Sequence, residues 1–261
     1  MRQLTHSTAN IEWCEENYAT CKYIAEFYNT VTNALFIAFA IYGIHTAHRL
    51  RLEKRFALTF ASYMLIGIGS WCFHMTLLYE MQLMDELPSS YDTDSLTKRQ
   101  RQLLPLALTA IALAIAATYL LVNDSLYYQC CYGALTLTTI AKAARASKRL
   151  PIDSSTQQEL RQLLHISCGS YGLGFIVWNI DNVCCAQLRA ARASIGDPWS
   201  GLLQLHAWWH ILAGLGGYGF IVFCQYLHLS RLDKQGDYVV EWSWRVVPTL
   251  VPRSVAKAKR L

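Results

Sequence analysis

Six runs of apolar residues, each near twenty residues long, constrain this chain more than any other feature. They cover 29–48, 57–78, 103–122, 126–145, 162–180 and 203–227. About 20 apolar residues in a helix cross a bilayer, and only structures that satisfy their own backbone hydrogen bonds survive there. Of the 261 residues, 53% are hydrophobic and 16% charged, and the mean hydropathy is +0.19. That balance is too apolar for an ordinary soluble domain. We expect an all-α, polytopic membrane helical bundle. A short segment, 1–28, precedes the membrane domain, 29–227, and a basic tail, 228–261, follows it.

The segment 79–101 sets a parity problem. It carries Glu80, Asp85, Glu86, Asp92 and Asp94, too many acids for an ordinary span. The basic residues nevertheless argue that it crosses. They cluster at Arg49–Arg55, Lys98–Arg101, Lys142–Arg161 and in the C-terminal tail, while the connections near 78 and 123–125 carry neither Lys nor Arg. Basic loops favour the cytosol. The clusters alternate with poor loops only if 79–97 crosses once. Seven transmembrane helices follow, with a shortened third helix, a lumenal N-terminus and a cytosolic C-terminus. A helix from Tyr79 to Tyr91 is only about 20 Å long, so polar chain or local bilayer thinning completes that crossing. The net charge of +5 reads as this topology signal and not as a nucleic-acid footprint. The first 25 residues are polar, so no cleavable signal peptide is expected. Nine cysteines show no Cys-x-x-Cys metal pattern, and most are expected to be buried thiols.

His206 and His210 lie four residues apart in the last apolar run, on one helix face. Ionisable groups at membrane depth are costly and usually functional. Ser70 and His74 show the same spacing at the end of the second run, and Asp85 follows eleven residues later. With seven crossings, His74 reaches the same side as His206 and His210. Three imidazoles with one open position form the pattern of a catalytic zinc. Asp85 would orient or deprotonate a water there, and Ser70 would donate to a developing oxyanion. Each residue also has a plainer explanation: Ser70 bonding its own helix, Asp85 capping one, the histidines bonded to neighbours. A second group, Glu12, the Trp13 carbonyl, Glu15, Asn17 and Glu26, offers hard oxygen donors suited to Ca²⁺. The alternative there is a solvated acidic segment at a helix start.

WCEENY with YIAEFYNTVTN, the Ser70–His74–Asp85 block with QLMDELP, WNIDN at 178–182 and HAWWHILAGLG at 206–216 resemble the landmarks of the alkaline ceramidases. That family lies within a seven-helix superfamily of membrane hydrolases, and the landmarks stand in its order. The resemblance implies an intramembrane zinc amidase that splits ceramide into a sphingoid base and a fatty acid. It implies His74, His206 and His210 as zinc ligands and Ser70 and Asp85 as catalytic residues. It implies Trp13, Glu15, Asn17 and Glu26 as calcium ligands, with Glu12 standing where Asp is expected, and Cys14–Cys185 as a lumenal disulfide. The expected partner is a ceramide-type lipid within the bilayer, bound by a monomer, with no nucleic acid. After QLMDELP the family continues with a long apolar helix, whereas this chain turns to SSYDTDSLTKRQR. The competing readings are a seven-helix lipid-binding receptor with a structural zinc, and an inactive variant shortened in the third helix. The final KAKRL resembles a dilysine retrieval signal for the endoplasmic reticulum, with a plain basic tail near anionic lipid as the alternative; the expected location is the endoplasmic reticulum or Golgi membrane.

Overall fold

The computed structural model describes residues 13–77, 125–258 and the isolated positions 110, 114 and 118. The expected crossing at 79–97, the run at 103–122, Glu12, Asp85 and the last three residues lie outside the described residues. The helices are α1 (Phe27–Thr32), α2 (Ala34–Arg49), α3 (Lys54–Thr76), α4 (Ser125–Lys148), α5 (Ser154–Val183), α6 (Cys185–Ile195), α7 (Leu205–Arg231) and α8 (Arg253–Ala258).

Four stretches are long and apolar enough to cross a membrane: Phe27–Arg49, Lys54–Thr76, Ser154–Val183 and Leu205–Arg231. They fall on the first, second, fifth and sixth apolar runs. Helix α4 falls on the fourth run, but Tyr, Gln and Thr residues dilute it, and it is not among the four. Seven crossings are therefore not reached among the described residues. Helix α5 starts eight residues before its apolar run because Asp153 accepts from the backbone N–H groups of Ser155 and Thr156. Such a cap satisfies donors that the first turn leaves unpaired.

Helices α5 and α7 pack along each other through small residues. A Cβ on Gly219 would stand 2.5 Å from Ser167 Oγ, and one on Gly216 would stand 2.8 Å from the Ser167 carbonyl. Small residues at such a seam let membrane helices approach closely. Phe60, Tyr218, Phe223, Leu160 and Leu163 fill the core between α3, α5 and α7.

Two expectations need correction. The fold is mostly helical but not all-α. The segment beyond α7, expected as a tail, contains an antiparallel hairpin of β1 (Tyr238–Ser243) and β2 (Val247–Pro252), with Tyr238 opposite Pro252 and Ser243 opposite Val247. Its valines and aromatics favour strands. The hairpin is held to the helices where Tyr218 Oη donates to the Pro248 carbonyl at 3.0 Å, and Leu250 and Val251 are buried. The thiols also differ. Cys14 is buried, whereas six of the seven free cysteines are half-buried and Cys130 is exposed.

Candidate metal centre

Three elements converge at one end of the bundle: the C-terminus of α3, the N-terminus of α7 and the segment 13–33. The last two turns of α3 carry Ser70 and His74, and the first two turns of α7 carry His206 and His210. All four side chains are at least 96% buried. One ligand atom from each histidine lies within 4.8 Å of the others, and this is the one such cluster found among the described residues. The ring centroids stand 4.8–5.1 Å apart.

Backbone details orient two of the rings. At the junction of α1 and α2, the Asn33 N–H turns to the Thr30 carbonyl at 3.2 Å. That tightening releases the Asn29 carbonyl from the usual helical bond. The carbonyl instead accepts from Asn33 Nδ2 and from His210 Nδ1, both at 2.9 Å. Nδ1 also meets Thr32 Oγ1 at 3.1 Å and Asn33 Nδ2 at 3.2 Å, but its shortest contact is to the carbonyl, which only accepts, and this favours the proton on Nδ1 and the lone pair on Nε2. His74 Nδ1 stands 2.5 Å from Glu26 Oε2, and that oxygen also accepts from Asn29 Nδ2 at 3.1 Å. The chain reaches this position because the N–H groups of Ala25 and Glu26 pair with the Met75 and His74 carbonyls, orphaned at the end of α3. A carboxylate or carbonyl behind a histidine is the usual arrangement for fixing a metal-binding imidazole. His206 Nδ1 is buried with no partner among the described residues.

Such a donor set fits zinc. The imidazoles are buried, two have their outer nitrogens fixed, and one carries an orphaned nitrogen. Ligands on a tetrahedral zinc stand about 3.3 Å apart, so small side-chain adjustments close the cluster on an ion.

The N-terminal segment lies over this centre. Cys14 and Cys185 form a disulfide with a Cα–Cα distance of 5.3 Å. Helix α6 adds two arginines. Arg192, itself buried, donates to the Cys14 carbonyl at 2.7 Å and pairs with Glu16 at 3.2 Å, and Arg189 donates to the same carbonyl at 3.0 Å. The Trp13 ring sits 4.2 Å from that of His206. Asp181, from WNIDN, is buried beside the backbone amides of His206 and Cys14 and the Arg192 guanidinium.

Three of the expected calcium ligands, Glu15, Glu26 and the Trp13 carbonyl, are engaged with protein groups. Glu15 accepts from the N–H groups of Tyr28 at 2.8 Å and Asn29 at 2.9 Å, capping α1 from a distance. Burial pushes its carboxyl up to about 7, and the nearby charge of Glu26 adds to this. Glu26 faces His74, Asn17 is exposed, and the Trp13 carbonyl accepts from Arg189 at 3.4 Å. Glu12, like Asp85, lies outside the described residues.

Reading the sequence for motifs missed Asn29, Asn33, Arg192 and the histidine-facing role of Glu26. Two asparagines four apart in an apolar run were the available signal.

A mostly helical bundle with four candidate membrane spans and a buried three-histidine cluster at one end defines the class: a membrane protein with a candidate metal site. The comparisons make it specific. A family model described as Ceramidase matches residues 5–253. The chain is 38% identical over 230 residues to alkaline ceramidase 3 of Mus musculus, covering 84% of each chain. It is 34% identical over 267 residues to alkaline ceramidase YPC1 of Saccharomyces cerevisiae, covering 94% of this chain and 84% of the relative. It is 30% identical over 228 residues to the alkaline ceramidase of Arabidopsis thaliana, covering 84% of each. The chain belongs to the ceramidase family, and the receptor reading is not favoured.

Proposed function

We propose that the protein is an intramembrane, zinc-dependent amidohydrolase that cleaves ceramides to a sphingoid base and a fatty acid. The observation that carries this reading is the convergence of three buried histidines on one point, two of them with their outer nitrogens already committed. His74, His206 and His210 would hold the ion. Zinc supplies Lewis acidity, which polarises an amide carbonyl and lowers the pKa of water to about 7.

The remaining chemistry belongs to side chains. Ser70, one turn before His74, donates its hydroxyl proton toward the negative charge that develops on the amide oxygen. Asp85 accepts the proton of the attacking water and returns it to the leaving amine. Glu26 holds the His74 ring and its charge. The acyl and sphingoid tails lie along the apolar helices, within the bilayer.

We further propose a calcium ion held by Glu12, the Trp13 carbonyl, Glu15, Asn17 and Glu26. Two buried carboxylates in one small region, Glu15 and Glu26, supply the excess negative charge that a hard cation neutralises. We place this end of the bundle in the lumen of the endoplasmic reticulum or Golgi. A disulfide persists in an oxidising compartment. The opposite end collects Arg49, Lys54, Arg55 and Arg231, as cytosolic ends do.

The test is release of sphingoid base from ceramides by the purified protein in detergent or nanodiscs. Release that stops on chelation and returns with zinc supports the reading. Full activity with no metal bound contradicts it.

A further inference from the structure

Among the described residues, His206 lacks the acceptor that stands behind each of the other two rings. Its Nδ1 is buried and unpaired, whereas Nδ1 of His74 meets Glu26 and Nδ1 of His210 meets the Asn29 carbonyl. The same end of the bundle holds a carboxylate that the amidase reading does not use. Asp181 is 1% exposed, and neither of its oxygens has a hydrogen-bond partner among the described residues.

Asp181 stands in the last turn of α5, where a negative charge opposes the helix dipole. The start of α7 offsets this. Gln204, the residue before α7, supplies no side-chain cap. The N–H groups of Ala207 and Trp208 turn back to the Gln204 carbonyl. The N–H of His206 instead faces the Asp181 carboxylate, as does the N–H of Cys14, with the Arg192 guanidinium nearby. A helix start favours a carboxylate, which accepts from its unpaired N–H groups and meets the positive end of its dipole.

The unpaired carboxylate therefore lies against the backbone of the residue whose ring has no acceptor. Two other unpaired donors belong to this neighbourhood, Trp13 Nε1 and Arg192 Nε. They do not exclude His206, because two carboxylate oxygens offer about four acceptor positions. The unpaired amide oxygens of Asn29 and Asn33 belong to the other side of the cluster, where these two residues meet the His210 ring.

We infer that Asp181 is the positioning residue for His206, its carboxylate accepting from the backbone N–H at the start of α7 and from the ring N–H at Nδ1. Each of the three rings then has an acceptor behind it. The inference rests on the zinc reading for the task of the ring, but the hydrogen bond itself belongs to this chain alone.

The test uses the purified full chain, with zinc titration of the zinc-free protein and ring-nitrogen NMR of labelled histidine. The His206 signal is assigned by its loss in His206→Ala. In zinc-free wild type the His206 proton should sit on Nδ1, and its resonance should shift in Asp181→Asn. Zinc affinity should fall about 10–100-fold in Asp181→Ala, and less in Asp181→Asn, which keeps one acceptor oxygen. A proton on Nε2 in wild type would overturn the inference. So would a lower melting temperature in both variants with zinc affinity unchanged, the mark of a merely structural residue. If Asp181→Ala does not fold, the wild-type spectrum and its response to Asp181→Asn give the answer. A wild type that binds no zinc would sink the zinc reading, and the position of the His206 proton would then decide the role of Asp181.

Discussion

Helix α7 carries buried histidines at both ends, and the two ends behave differently. At its start, His206 and His210 face each other and His74. The described protein engages the Nδ1 of His210 and of His74, and their other nitrogens are left to the cluster. Near its finish, His228 is equally buried, but protein surrounds both nitrogens. Arg55 stands 2.7 Å from Nδ1, and Glu53 stands 2.9 Å from Nε2. Burial of an imidazole therefore does not define a ligand. What sets the three candidate ligands apart is the other imidazoles in front of them, two of the three also having an acceptor behind.

Substitutions separate the two ends. The largest effect should come from His206→Ala or His210→Ala, which remove a ligand. Zinc should be lost and ceramide turnover should fall more than about 100-fold, beyond the effect of supporting residues. Parallel assays on His228→Ala should show activity within a few-fold of wild type. Comparable inactivation by His228→Ala would erase the distinction.

Next in size is Glu26→Gln, which keeps the shape of the side chain and removes the charge behind His74. A loss of about 10–100-fold in zinc affinity or turnover is expected, read by metal titration of the apo protein. An unchanged affinity would show that His74 needs no carboxylate.

The third effect is on stability alone. Gly219→Val drives a side chain into Ser167 at the α5–α7 seam. Such overpacking costs about 1–3 kcal/mol, visible as a lower melting temperature. His228→Ala should cost a similar amount, about 1–3 kcal/mol, because a buried ring that packs on Phe56 and meets Arg55 is lost.

The smallest effect lies at the start of α5. Hydrogen bonds from the Ser155 and Thr156 side chains hold the Asp153 carboxyl well below the usual carboxylate range. A carboxyl whose pKa is lowered by folding adds stability that is present above its unfolded value, about 3.9, and is lost as pH falls below it. The difference in melting temperature between wild type and Asp153→Ala should therefore be constant at neutral pH and shrink below about pH 4. A difference that grew on acidification would reverse the sign.

Much of this arrangement was legible in the sequence, and the reasons are specific. Apolar runs placed α2, α3, α5 and α7, because bilayer-length hydrophobicity is a property of composition. The pairs Ser70–His74 and His206–His210 were legible because helical spacing puts i and i+4 on one face. Which side chains support the histidines was not. Asn29 reaches His210 only because α1 tightens at Asn33, and Glu26 reaches His74 only because residues 25–26 pair with the end of α3. Those contacts depend on packing between elements far apart in the chain. The hairpin 238–252 was hidden for another reason. Its short strands sit beside a basic tail and a long helix, and a search by helical periods passes over them. Helix α6 was hidden similarly, since its function rests on Arg189 and Arg192 meeting a segment more than 170 residues earlier.

The central claim is that His74, His206 and His210 share one zinc ion. X-ray absorption at the zinc edge on the purified protein tests it most directly. We expect one zinc per chain with three imidazole nitrogens at about 2.0–2.1 Å, and the signal should survive in His228→Ala and vanish in His206→Ala. A protein that cleaves ceramide with no zinc, or a zinc with fewer than three imidazole ligands, would contradict the claim.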